Sequence, residues 1–499
     1  MSELALKPTA HVVDVLGNVI GRDQPILRIE KALEMVSLLG EDIFADENVV
    51  FFDPFCKAGE LLLACAFLSC KAKSKKTVLD LDIVAKEIYE SNRYFGMAPD
   101  ERHHRLSLRT FLGNEVSHNE KYNHIIRDGN YLSEEDGTLD ENKFEREFSS
   151  MIDYINSKTK DKRIIALGNP PYQESDGGFG KSAKSIYNLF TETLIKSCDV
   201  SEFILVIPAR WFGGGKGLDS FRADLMSSRK VKNLVYFQNS SHVFPTVDIN
   251  GGVCYLHYDK NHVGKTKFTD GNHTEILDLD EYDIIADDPK GYTLVRKIAS
   301  QWNGSFIGDV AWAGKPFGIR TFYFERNKKL DESHENAIPC LSRNKKIYYV
   351  DSNDITKNKN KINLWKVSVP AVAGGSKGQR RSTVPLNQIF LVPSGTITTE
   401  TYNIIDTFKN KSEAENLITY LKTDFARYFV GLRKITQHLP ADRWSWVPYV
   451  DVSKVWTDEE LFKLFKLTKE EQAHIRRKVR DWSGSSIINL SDNDDNEAA

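Results

Sequence analysis

Asn169, Pro170, Pro171 and Tyr172 are the residues whose types and spacing carry the plainest chemistry in this chain. They follow Arg163-Ile164-Ile165-Ala166-Leu167-Gly168, a short apolar run that reads as a buried strand. Two consecutive prolines cannot continue a central strand, because each lacks an N–H for the ladder. The chain must therefore leave the sheet as a stiff loop, with Asn169 the first side chain at the rim. The amide oxygen of Asn169 and the backbone carbonyl of Pro170 can both accept hydrogen bonds from one NH2 group. That would pull a conjugated amine toward tetrahedral geometry and free its lone pair, which is what methyl transfer to such a nitrogen needs. The prolines hold the two acceptors rigid, and Tyr172 offers a flat face to a base ring. The competing reading is a strand that ends in a proline turn.

A second constellation lies upstream. Asn48–Phe52 predicts a strand that runs into Asp53-Pro54-Phe55-Cys56-Lys57-Ala58-Gly59-Glu60 and then into an apolar helix over Leu61–Ser69. Strand, turn and helix open an α/β nucleotide-binding unit. A turn with one glycine makes a poor phosphate cradle. It suits a ligand with an ammonium and no phosphate, Asp53 facing the cation and backbone N–H groups meeting a carboxylate. S-adenosylmethionine carries both, and a purely structural βα turn is the alternative. Tyr94–Ala98 reads as a short strand, after which Asp100 or Glu101 would accept hydrogen bonds from a ribose diol, or stand as solvated loop carboxylates. His124–Leu132 reads as a strand and turn in which Asn130 or Asp128 would hold the exocyclic amine of the cofactor adenine.

The elements that must position these residues alternate. Helices are expected over Pro25–Leu39, Leu79–Asn92, Ile186–Lys196 and Leu218–Met226, and a strand over Glu202–Pro208. Val231–Phe237 and Gly251–Tyr258 read as a hairpin. Ser133–Lys162 is polar and reads as a surface insertion, and Gly177–Lys184 as a loop that orders only on substrate. The alternation predicts one mostly parallel, doubly wound α/β sheet, with residues 260–290 a linker.

Bulk properties bound the partners. A chain of 499 residues accommodates two or three domains. No run approaches a membrane span, and no secretory signal shows at Met1–Val13. The six cysteines form no CxxC pair or Cys/His cluster, which fits reduced thiols in a cytoplasm and no metal site. A formal net charge of −3 means that nucleic-acid binding must use a local basic face.

Four blocks then stand in one order. Asp53–Glu60 resembles the cofactor motif of the gamma-class adenine-specific DNA N6-methyltransferases, and Asn169–Tyr172 resembles their catalytic motif. Ile207–Phe212 with Gly213–Leu218, and Val243–Val253, are similar to later blocks of these TaqI-like enzymes of restriction–modification systems. The blocks span about residues 25–260. The resemblance implies a Rossmann-like seven-stranded methyltransferase domain, S-adenosyl-L-methionine held by Asp53, Pro54, Phe55, Cys56, Gly59 and Glu60, and a target adenine flipped out of double-stranded DNA. Asn169, Pro170, Pro171 and Tyr172 take the catalytic roles, Asn169 also bordering the cofactor. Phe244 becomes the second aromatic face on the base, or else a core phenylalanine of the hairpin. Lys57 stands where the family pattern has glycine, and Gln24-Pro25 where it has Thr-Pro.

The second half reads as an α+β target-recognition domain over 266–485, after a catalytic domain over 1–265 and before an acidic disordered tail over 486–499. Lys315 and Arg320 lie in an aromatic and glycine-rich stretch, Trp302–Phe324. Asn344–Val350 reads as a basic-edged strand, Lys357–Lys361 as a lysine-rich loop and Gly374–Ser382, with Lys377, Arg380 and Arg381, as a mobile basic loop. These three cationic segments are suited to phosphate and base contacts or else solvated, and Gln437 lies further on as a further DNA-contact candidate. Glu413–Lys434 reads as one helix and Thr468–Trp482 as the last. The expected activity is site-specific adenine methylation of DNA, with a separately encoded restriction endonuclease as a partner. The alternatives are a specificity subunit with a vestigial motor serving a separate nuclease, and a methyltransferase for RNA or a protein glutamine.

Overall fold

Val49–Asp53 is apolar up to its last residue and buried throughout, which places it at the centre of a sheet. The computed structural model describes residues 26–74, 81–112, 124–126, 129, 131, 138–160, 162–174, 184–215, 217–245, 247, 249, 251–271, 273–312, 314–326, 330–373, 384–434 and 438–482. The chain divides into two compact units, Met1–Pro289 and Lys290–Ala499.

The first unit is built on β1 (Val49–Asp53), β2 (Tyr94–Met97), β3 (Ile125–Ile126), β4 (Arg163–Gly168), β5 (Val200–Pro208), β6 (Val231–Phe237), β7 (Val253–Asp259), β8 (Thr266–Thr269) and β9 (Thr274–Leu277). Their order is β3-β2-β1-β4-β5-β7-β6-β8-β9. From β3 to β5 neighbours run parallel, whereas β7 lies antiparallel to both β5 and β6. Among the described residues the sheet thus has nine strands where seven were expected. The additional two fall in the stretch read as a linker. That stretch is polar because β8 and β9 are short strands at the end of the sheet, β9 at its edge, with side chains facing water along both.

Ser133–Lys162 is not a surface insertion either. It contains a helix, Glu141–Thr159, capped by Asp140, whose side chain accepts from the Lys143 amide at 2.9 Å. Phe144, Phe148, Met151, Ile152 and Ile155 recur at helical spacing within the charged sequence and are buried. Ile29–Val36 forms the expected first helix and packs, with Glu60–Ser74, into the core around β1.

The second unit has two small sheets. One orders β11 (Ile347–Asp351), β10 (Ala337–Leu341) and β14 (Ile397–Thr398); the other orders β13 (Phe390–Val392), β12 (Trp365–Pro370) and β15 (Tyr402–Phe408). The helix expected over Glu413–Lys434 is two helices, Lys411–Leu421 and Asp424–Arg433. Thr423 breaks them, its hydroxyl accepting from the Ala426 amide at 3.2 Å as a new N-cap. No described helix is long and apolar enough to cross a membrane.

Candidate active site

Chain order runs from β1 through β2 to β3 on one side and from β4 to β5 on the other, so the sheet reverses direction between β1 and β4. Adjacent loops diverge at such a point and leave a crevice beyond the carboxyl ends of the strands. Asp53 is the last residue of β1, and Gly168 is the last residue of its parallel neighbour β4. The two motifs therefore open side by side on one rim. The contact is close: a Cβ on Gly168 would lie 2.6 Å from the Phe55 ring and 3.2 Å from Asp53 Oδ1.

The Asp53–Glu60 turn is an ionic pocket. Asp53, Lys57 and Glu60 are each at most 4% exposed. Fully ionised, the three would carry one net negative charge. Burial, reinforced by Glu60, pushes the Asp53 carboxyl well above the usual carboxylate range. Burial raises Glu60 as well, against its hydrogen bonds and Lys57. Burial lowers Lys57 to about 8, against the pull of Glu60 and Asp53. One Glu60 oxygen accepts from the Leu27 amide at 3.3 Å; the other is buried with no hydrogen-bond partner among the described residues. This donor set suits an ammonium ligand, with Lys57 meeting part of the negative charge.

The turn's amides behave differently from expectation. The Phe55 amide donates to Asp53 Oδ1 at 2.9 Å and the Cys56 amide to the Met97 carbonyl at 3.0 Å. The first closes the turn on its own acid and the second ties it to β2, so neither of these two amides is left for a ligand carboxylate. The Cys56 thiol is buried 3.4 Å from the Ser107 hydroxyl, and burial and Asp53 raise its pKa.

The acids beyond β2 also have local duties. Asp100 accepts from the His103 amide at 2.9 Å and meets the His103 ring at 2.8 Å. Burial alone would raise its carboxyl, but these two bonds hold it low. Glu101 pairs with Arg105 at 2.6 Å on the helix Glu101–Leu112. Asn130 and Asp128 lie outside the described residues. Their neighbours are pinned at the rim: the Gly129 amide donates to the Ala98 carbonyl at 3.0 Å, and the Tyr131 hydroxyl to the Pro54 carbonyl at 2.9 Å. A Cβ on Gly129 would lie 2.7 Å from the Met97 carbonyl oxygen, so only glycine passes here.

Asn169 is 3% exposed and Pro170 is buried, while Pro171 and Tyr172 are half-buried. The chain after Tyr172 leaves for residues 175–183, outside the described residues, which take in most of the Gly177–Lys184 loop. It returns against itself, Gln173 bridging Ser185 and the Ile186 amide donating to the Tyr172 carbonyl at 3.2 Å. Phe244 is 1% exposed and belongs to the core cluster. Its ring meets Tyr172 edge to face, centroids 6.4 Å apart and planes at 65°. A base between two parallel faces needs about 7 Å, so these rings offer no slot in this arrangement.

Sequence reasoning passed over Gly168 and Tyr131, although each stands beside a residue it selected. Of the basic candidates, Lys315 is half-buried and Arg320 is exposed, its guanidinium 5.7 Å from the Phe322 ring centre. Lys377, Arg380, Arg381 and Gln437 lie outside the described residues.

The first unit thus defines a class, an α/β domain in which the ends of β1 and β4 meet at the switch point of the sheet. Residues 92–244 match the family model described as Eco57I restriction-modification methylase. The match takes in Asn169–Tyr172 and Ile207–Leu218 and ends at Phe244, while Asp53–Glu60 lies outside it. An uncharacterized adenine-specific methylase of Mycoplasma pneumoniae is 32% identical over 120 residues, 22% of this chain and 28% of that protein. The chain therefore matches less than a third of that relative's length. Among solved structures, the type IIG restriction endonuclease BpuSI gives a TM-score of 0.47 at 11% identity, covering 96% of this chain and 68% of that one. The type IIL restriction-modification enzyme MmeI in complex with DNA gives 0.40 at 10% identity, covering 95% and 74%.

Proposed function

We propose that this chain methylates the N6 amine of an adenine flipped out of double-stranded DNA, within a restriction–modification system. The observation that carries the reading is the abutment of the Asp53 and Asn169 motifs on neighbouring strand ends at the switch point. Asp53 and Glu60 would hold the ammonium of S-adenosyl-L-methionine, which when bound supplies an electrophilic methyl group. A duplex hides the target amine in the stack, so the base must be extruded. Asn169 Oδ1 and the Pro170 carbonyl accept from its NH2, localise the lone pair and fix its direction. Tyr172 carries the ring, and Phe244 joins it after one of the two rings turns. Lys290–Ala499 is the target-recognition unit in this reading, and a cognate endonuclease encoded separately completes the system.

The test is transfer from labelled S-adenosylmethionine to mixed genomic DNA, with nucleoside analysis and base-resolved mapping. N6-methyladenine at one short motif is the expected product, and Asn169→Ala should abolish it. Label appearing only in RNA or in protein glutamine would reject the DNA reading.

A further inference from the structure

The β10–β11 connection is a tight basic tip. The Ser342 amide donates to the Lys346 carbonyl at 2.8 Å, and the Lys346 amide to the Arg343 carbonyl at 3.2 Å. Between them, Asn344 and Lys345 have φ of 58° and 56°. Positive φ at both central positions matches the twist of a hairpin, but a lysine adopts it at a cost. Two contacts hold Lys345 there: its amide donates to the Tyr402 hydroxyl at 3.0 Å, and its ammonium lies 4.4 Å from the Phe390 ring centre. Lys345 thus braces the tip. Arg343, Asn344 and Lys346 are exposed, and none makes a side-chain hydrogen bond or ion pair among the described residues.

One turn, Thr399–Tyr402, ties this tip to other elements of the second unit. The Thr399 amide donates to the Leu341 carbonyl at 3.0 Å, Glu400 accepts from the Thr321 amide at 2.8 Å, and Tyr402 pairs with Pro370 at the end of β12. Three of the nine exposed large apolar side chains among the described residues, Phe322, Ile347 and Val372, adjoin these tied segments. Exposed cations on a braced tip, next to the exposed Ile347 and without an acid from Leu341 to Ile347, are the complement of a phosphate-lined groove.

We propose that the β10–β11 tip enters the major groove of duplex DNA, Arg343 and Asn344 reading base edges and Lys346 meeting a phosphate. A β-ribbon fits that groove, here the β10–β11 turn beyond Leu341, the last residue of β10 that β14 pairs, and there arginine pairs with guanine and asparagine with adenine in bidentate fashion. The partner rests on the DNA-methylation reading.

The experiment uses the full chain with Arg343→Ala, Asn344→Gly, which keeps the positive φ, and Lys346→Ala. Binding to a duplex library is followed against salt, and methylated sites are mapped on the same library. Arg343→Ala and Asn344→Gly should each relax one position of the wild-type motif and lower kcat/KM on it about 5- to 150-fold. Lys346→Ala should weaken binding to all sequences and reduce the slope of log affinity against log salt by about 0.9. Variants that keep both the wild-type motif and the wild-type slope would overturn the hairpin's role and leave methylation standing. A wild type that binds duplex without methylating it, with the slope still lowered by Lys346→Ala, would uphold the hairpin and reject the catalytic reading. A wild type that neither binds nor methylates duplex DNA rejects both.

Discussion

Gly168 lies so close to Phe55 that a single added methyl group at Gly168 would sit 2.6 Å from the ring. The contact couples the two halves of the candidate site, because Phe55 is in the Asp53–Glu60 turn and Gly168 immediately precedes Asn169. Gly168→Ala must push either the ring or the strand end aside. Overpacking of this kind costs about 1–3 kcal/mol. We expect a lower melting temperature, together with a loss of methyl transfer larger than the loss of folded protein. Calorimetry beside a methylation assay checks it, and unchanged turnover would remove the coupling.

Asp53 bears on pH. Its folded-state carboxyl is raised above the ordinary value, chiefly by burial. The folded state therefore binds this proton more tightly than the unfolded chain does, and stability falls as pH rises from the ordinary carboxylate range through the raised value. A cationic ligand requires the carboxylate, so cofactor affinity has the opposite slope and is lost as pH falls through the raised value. Asp53→Asn keeps an acceptor for the Phe55 amide and removes the buried charge. We expect a melting temperature higher by about 2–4 °C, the shift that 1 kcal/mol gives in a domain of this size, with cofactor binding abolished. Titration calorimetry across pH would decide it; a variant that binds the cofactor as the wild type does would displace Asp53 from the site.

The switch-point strands were legible because β1 and β4 are continuous apolar runs ended by an acid or a proline pair, and a buried parallel strand has no other appearance. The helix Glu141–Thr159 was hidden by composition. Its buried residues are sparse among charges, so overall polarity outweighed a periodicity that counting from Phe144 to Ile155 would have shown. β8 and β9 were lost for the related reason that short strands with one solvated face carry polar residues. At the site, residue identity marked Asp53 and Asn169. It did not reveal that Asp100 serves as a helix cap, or that the Phe55 and Cys56 amides are already engaged, because those facts depend on which backbone comes to lie beside which.

Phe144 gives that hidden helix a role. Its ring centre lies 4.6 Å from Tyr131, 4.7 Å from Phe190 and 6.2 Å from Phe55, which places it against the Asp53–Glu60 turn. Phe144→Ala should cost about 3–5 kcal/mol and loosen Phe55 and Tyr131 together. Cofactor affinity should fall along with stability. Phe148→Ala, on the same helix but against Phe52, should cost similar stability with less effect on binding. Denaturant unfolding with cofactor titration separates the two, and equal binding losses would count against a specific support for the turn.

Tyr172 allows its ring and its hydroxyl to be tested apart. The hydroxyl is buried without a hydrogen-bond partner among the described residues, and burial holds its pKa far above the usual phenol value. It therefore stays neutral through the working pH range and is a poor candidate for proton transfer. An unsatisfied buried hydroxyl costs about 1–3 kcal/mol, so Tyr172→Phe should melt no lower than the wild type. If the ring stacks on the flipped base, Tyr172→Phe should also keep methyl transfer nearly intact. Tyr172→Ala should lose the about 1–3 kcal/mol that base–aromatic stacking supplies, mainly as a raised KM for DNA. Steady-state kinetics on one duplex compares the three proteins. A large loss in Tyr172→Phe would show that the hydroxyl, not the face, is what the substrate meets.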